Sequence, residues 1–131
     1  MSYVISAQVN TGSRFEITAT AIPCGKDWNI AVCGGTLHHV GAIAVCYPDS
    51  EKTTVNMIAL PGHRDDLVAE LFAQKISLAF RCHAAASAGI HIDNASKGDI
   101  QILIKSSEKC CEELIKKMKQ HSSPADALIH A

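Results

Sequence analysis

Three short segments hold the residues best suited to chemistry. They are Gly34-Gly35-Thr36-Leu37-His38-His39-Val40-Gly41, Pro61-Gly62-His63-Arg64-Asp65-Asp66 and Gly89-Ile90-His91-Ile92-Asp93-Asn94-Ala95-Ser96. Each sets histidine beside glycine, and the second and third add carboxylates. A glycine before a helix start lets a ligand approach backbone N–H groups closely. The helix N-terminus favours an anion, and Arg64 can meet a phosphate with two parallel hydrogen bonds. A phosphorylated ligand is therefore chemically coherent, although no P-loop or Gly-x-Gly-x-x-Gly pattern is present.

Every one of these residues also has a plainer reading. Gly34 and Gly35 suit a turn between strands. Asp65 and Asp66 suit the first turn of a helix, and Asp93 and Asn94 suit a cap on the last helix. Arg64 alone reads as a solvated surface residue. What favours function is that His39, His63 and His91 each fall at a strand end beside glycine. His83, His121 and His130 have no such setting, and His38 falls on the opposite face from His39 if the strand starts there.

Two enzymatic readings compete. His39, His63, His91 and Asp93 offer imidazole and carboxylate ligands for zinc or iron, with His91 and Asp93 on one side of an extended segment. No His-x-x-x-His helix pair supports a metal. Acid–base work by His63 or His91 with an Asp is open, though no spacing demands it. No Gly-x-Ser-x-Gly elbow exists, and no cysteine stands beside a base at a helix start.

These segments need elements to position them. Tyr3, Ile5, Ala7 and Val9 alternate with polar residues, as do Phe15, Ile17, Ala19 and Ala21, with Asn10-Thr11-Gly12-Ser13 between them. That predicts a hairpin with one wet face. Trp28–Cys33, His39–Tyr47 and Thr53–Leu60 are apolar at nearly every position, which predicts strands covered on both faces. Short breaks separate the three, so an antiparallel meander is expected.

The period then changes. Leu67, Val68, Leu71, Phe72, Ile76, Ala79 and Phe80 have helical spacing behind Asp65 and Asp66. Ala84–Ile92 reads as one more buried strand. A last helix runs from about Lys97 to Gln120, opened by a Ser96/Asp99 capping box. Its apolar stripe is Ile100, Leu103, Ile104, Cys111, Leu114, Ile115 and Met118, and Lys116, Lys117 and Lys119 suit its last turns. The expected fold is α+β: a mostly antiparallel five- to six-stranded sheet with two helices packed on it, in the order strands, helix, strand, helix.

Composition bounds the rest. The 131 residues carry a formal net charge of -1, with 47% hydrophobic and 19% charged residues. One domain is expected, with a core over about residues 3–120 and a frayed tail at 121–131. Neutral charge and 5% aromatics argue against a nucleic-acid partner. No apolar run approaches the roughly 18 residues of a membrane span. The alternating N-terminus lacks the character of a signal peptide, so a cytoplasmic location is expected. The six cysteines form no Cys-x-x-Cys pair and read as buried thiols. Strongly apolar central strands leave room for a homodimer.

Taken together, Gly34–Ala42, Leu60–Asp66 and Ala88–Ala95 resemble the motifs of the LpdD-like prenylated flavin chaperones. These are the small D subunits of gallate-type, hydroxyarylic acid decarboxylase systems. The likeness spans about Trp28 to Gln120. It departs at Thr36-Leu37-His38, where an acidic or polar residue followed by proline is expected before the histidine. The resemblance implies a non-catalytic accessory protein that binds prenylated flavin mononucleotide, or flavin mononucleotide. It further implies loading or maturation of that cargo in a partner decarboxylase large subunit, with a metal not expected. The positions it marks for cofactor binding are Gly35, His39, Gly41, Gly62, His63, Arg64, Asp65, Gly89, His91, Asp93 and Asn94. A purely structural small subunit of a decarboxylase complex is a further alternative.

Overall fold

A computed structural model describes residues 3–50, 52–61 and 65–121. The elements in chain order are β1 (Ile5–Val9), β2 (Ile17–Cys24), β3 (Asp27–Gly35), β4 (Leu37–Asp49), β5 (Lys52–Ala59), α1 (Asp66–Phe80), β6 (Ala84–His91) and α2 (Lys97–His121). The six strands form one mixed sheet in the order β1-β2-β3-β6-β4-β5. This is the expected α+β architecture.

The hairpin of β1 and β2 follows its alternation. Ile5, Ala7, Val9, Ile17, Ala19 and Ala21 are buried. On the wet face, Ser6 meets Thr20 and Gln8 donates to Thr18, polar pairs directly opposite one another. The β2–β3 and β4–β5 neighbours are also antiparallel.

Two expectations for the apolar strands are corrected. First, β3, β4 and β5 do not form a meander, because β6 lies between β3 and β4, parallel to β3 and antiparallel to β4. Short loops suggested neighbours, but a returning strand of small residues from beyond α1 fills the gap. Second, the strands are covered on one face only. Trp28, Ile30, Val32, Ala42, Ala44 and Cys46 are buried, while Ile43, Val45 and Tyr47 are exposed. Both helices sit on the buried side, α1 over β4, β5 and β6 and α2 over β1 and β2.

Helix α2 opens with the expected box. Asp99 N–H donates to Ser96 Oγ at 3.0 Å and Ser96 N–H donates to Asp99 Oδ2 at 3.1 Å. The Ser96 N–H, ahead of the neighbouring Arg14 guanidinium, holds the Asp99 carboxyl below its ordinary range. Asp93 and Asn94 are thus not the cap. Cys110, Cys111, Leu114 and Met118 fill the core from α2, but Ile100 and Ile104 are exposed, on first turns of α2 whose polar contacts are to Asn10 and Arg14 in the β1–β2 connection. His121, expected in a frayed tail, closes α2 and stacks on Tyr3 with ring centroids 5.2 Å apart. The remainder of that expected tail lies outside the described residues. Tyr3, Trp28 and Phe80 continue the aromatic contacts at this end of the sheet.

Burial sets the chemistry of four of the six cysteines as expected, whereas Cys24 is exposed and Cys33 half-buried. It pushes the thiols of Cys46, Cys82 and Cys110 up to about 11 and that of Cys111 to about 12. They behave as small apolar core residues.

Candidate functional site

The opposite end of the sheet gathers the histidines. Parallel strands β3 and β6 end there, β4 begins there, and α1 starts beside them. In open α/β sheets ligands collect at the carboxyl ends of parallel strands, and β3 and β6 are the parallel pair of this mixed sheet.

The site is built around an irregularity. Leu37 and His38 pair with His91 and Ile90, and pairing resumes at Ala42 with Ala88. His39, Val40 and Gly41 of β4 therefore all lie opposite Gly89 of β6. Such a bulge bends the strand and re-aims a side chain, here His39. It requires glycine on both strands. A Cβ on Gly89 would overlap the His39 carbonyl oxygen, and a Cβ on Gly41 would overlap Asp65 Oδ2.

Asp65 fills the space so made. Its side chain is only 7% exposed. Oδ1 accepts the Ile90 backbone N–H at 2.9 Å, and Oδ2 lies 3.0 Å from His39 Nε2. An ionised carboxylate only accepts, so the pairing assigns the proton to His39 Nε2. Asp65 stands at the N-cap of α1 yet makes no side-chain cap there. It is not an ordinary first-turn acid. It ties the start of α1 to β4 and β6 at once.

A second pair lies alongside. His91 Nε2 is 2.8 Å from Asp93 Oδ1, and the His91 ring stands edge-on to the His39 ring with centroids 6.3 Å apart. This pair is open to solvent, His91 being 43% and Asp93 81% exposed. The His91 backbone is held from the other side. Thr36 N–H and the Thr36 hydroxyl both donate to the His91 carbonyl, at 2.7 and 3.2 Å. A Cβ on Gly35, whose φ is +76°, would overlap that same carbonyl. Gly34 and Gly35 are therefore more than a turn: Gly35 lets β3 end against β6, and Gly34 clears the Glu16 carbonyl on the β2 side. Asn94 follows with a φ of 54°, a conformation asparagine tolerates.

Of the residues marked in the sequence, Gly35, His39, Gly41, Asp65, Gly89, His91 and Asp93 converge, and Asn94 adjoins them. Gly62, His63 and Arg64 lie outside the described residues. The metal reading rests partly on His63. Among the described residues no group of three or more His, Cys, Asp or Glu side chains is arranged to hold a metal ion. The bridging role of Asp65 was not visible in the sequence, because its partners are 25 and 26 residues away. Thr36 was likewise missed as the support of His91.

This constellation offers two imidazoles in fixed relation, one held by a buried carboxylate and one accessible. It suits hydrogen bonding to a polar ring edge or holding a proton at a defined atom. Residues 11–119 match the family described as the prenylated flavin chaperone LpdD-like domain. The chain belongs to that family. As an LpdD-like domain it has an accessory, chaperone-type role for prenylated flavin. Protein LpdD of Lactiplantibacillus plantarum is similar to it, with 24% identity over 114 residues, covering 86% of this chain and 84% of that protein. The fold also matches a chain in the crystal structure of a novel chaperone complex for yeast 20S proteasome assembly. There the TM-score is 0.59 at 15% identity, over 88% of this chain and 95% of the other. That second likeness is one of fold. Among the described residues no helix is long and apolar enough to cross a membrane.

Proposed function

We propose that this LpdD-like chain binds prenylated flavin mononucleotide at the histidine-bearing end of the sheet and passes it to a partner decarboxylase large subunit. The observation that supports this most is the convergence of His39, Asp65, His91 and Asp93 beside the ends of β3 and β6. A flavin ring presents carbonyl and N–H groups along one edge. His91, exposed and oriented by Asp93, would meet that edge. His39, fixed by Asp65, would set the geometry behind it. Gly62, His63 and Arg64, directly ahead of α1, would supply the phosphate contacts that helix starts and arginine favour.

No nucleophile or ordered set of metal ligands is required in this reading. A carrier must release its cargo, which suits a half-open site better than an enclosed one. The residues bind and orient, and the chemistry of the cargo belongs to the decarboxylase.

The test is direct. Purified chain mixed with reduced prenylated flavin mononucleotide should co-elute with flavin absorbance, and His91→Ala should weaken retention about tenfold or more, the loss of a hydrogen bond to a polar group. Decarboxylase maturation should accelerate with wild-type chain. Absence of flavin co-elution at micromolar protein, with maturation equally fast without the chain, would overturn the proposal.

A further inference from the structure

The helix-free face of the sheet is unlike an ordinary wet face. Ile22, Ile43, Val45, Tyr47 and Ile58 project from it, each at least 40% exposed. Pairing places Ile43 opposite Ile58, so the last four form a continuous apolar band over β4 and β5. Between the end turns, the positions on this face carry no charge. Contiguous exposed apolar surface of this kind marks an interaction site.

The face also has relief. Over β3 and β6 it sinks into a shallow trough of about 310 Å³, floored by Asn29, Ala31, Ala85 and Ser87 and flanked by Ile22 and Ile43. Small residues lie on the two central strands and large ones on β2 and β4 to either side.

We infer that this face is the interface between two copies of the chain, packed sheet against sheet. Three features favour a second copy over a different partner. A two-fold axis brings a patch onto itself, so a charged patch would repel and this neutral one does not. The relief complements itself, because the ridge of one copy can enter the trough of the other, as stacked sheets interdigitate at about 10 Å. The size also fits. Six strands about 4.8 Å apart and about seven residues long give roughly 650 Å² in projection. A corrugated surface exceeds its projection, and a stable dimer takes about 800 Å² from each partner. The sequence leaves room for a homodimer, and the structure assigns it this surface. The assignment is independent of what the histidine site binds.

Sedimentation of the full chain tests it. The particle should have twice the 14.0 kDa chain mass. Val45→Lys and Ile58→Lys, at exposed positions, should each halve that mass while circular dichroism shows an unchanged fold. Leu78→Lys, on the helix side, should leave it dimeric. A benzophenone-bearing phenylalanine at Tyr47, which adds no charge, should cross-link chain to chain. A monomeric wild type at micromolar concentration overturns the inference, including one whose face is covered only on adding a decarboxylase large subunit. So does a dimer that neither lysine variant dissociates while folded, or one that Tyr47 fails to cross-link.

Discussion

The two histidine–carboxylate pairs have the same chemistry and different construction. His39 and Asp65 are 18% and 7% exposed in their side chains, and three parts of the chain, β4, the start of α1 and β6, meet around them. His91 and Asp93 are 43% and 81% exposed and only two residues apart. The first pair is assembled by tertiary structure. The second is a local contact on an extended segment. A buried carboxylate needs its hydrogen bonds, because removing one partner strands the other without water. An exposed pair exchanges its contact for solvent at almost no net cost. On the proposed reading the two would do different work: His39–Asp65 would hold the site's shape, and His91–Asp93 would meet what enters it.

The strongest way to break this contrast is at the glycines. Gly89→Ala drives a methyl into the His39 carbonyl oxygen, which backbone cannot avoid without undoing the bulge. We expect a loss of more than about 3 kcal/mol in a denaturant titration, at the upper end of overpacking costs. A wild-type midpoint would show that β4 can reseat without its bulge.

Removing the acid comes next. Asp65→Ala leaves the buried Ile90 N–H and His39 without their acceptor and should cost about 2–3 kcal/mol. Asp65→Asn keeps an oxygen for Ile90 N–H and should recover much of that, while presenting an amide to His39. Equal losses in the two variants would mean that the carboxylate's charge, and not its bonds, holds the site.

A third acid separates exposure from construction. Asp99, its side chain 14% exposed beside Arg14, completes the Ser96 capping box within a single turn. Ser96→Ala should cost about 1 kcal/mol. The Asp99 carboxyl lies below its ordinary value in the folded chain. Its contribution is therefore whole above that ordinary value and fades as pH falls through the lower folded one. Asp99→Asn should flatten the acid limb of stability below about pH 4. An acid limb identical to wild type would remove Asp99 from the account.

The smallest effect is expected at Asp93. Asp93→Asn should change stability by no more than about 0.5 kcal/mol, while measurably weakening flavin retention. A large stability loss would erase the distinction between the pairs.

Legibility in the sequence followed distance along the chain. The Ser96/Asp99 box is an i, i+3 signal and was readable outright. The β1–β2 hairpin was readable because its period of two runs unbroken on both sides of a turn. The convergence of glycine and histidine segments was legible as a pattern of types. Its geometry was not, since nothing local says that Asp65 turns away from its own helix toward Ile90 and His39. Strand order failed for a related reason. Period reports which residues share a face, and it says nothing of which strand lies alongside. Double coverage was wrongly expected for β3 and β4 because Ile43, Val45 and Tyr47 look like core residues. Burial within one chain is not the only reason a sheet face is apolar.

The placement of β6 has a consequence for when the protein becomes competent. Residues 84–91 are synthesised after both flanking portions of the sheet, β1 to β3 and β4 to β5, which share no strand pairing until that strand arrives. Pairing across such a separation is slow and comes late. Gly89 and His91 arrive on the joining strand itself. An incomplete nascent chain therefore lacks the histidine-bearing end of the sheet, and on the proposed reading uptake of cargo would begin only once the last strand has closed the sheet. Occupancy would thereby report a closed sheet, ahead of the docking of α2, which is made after β6.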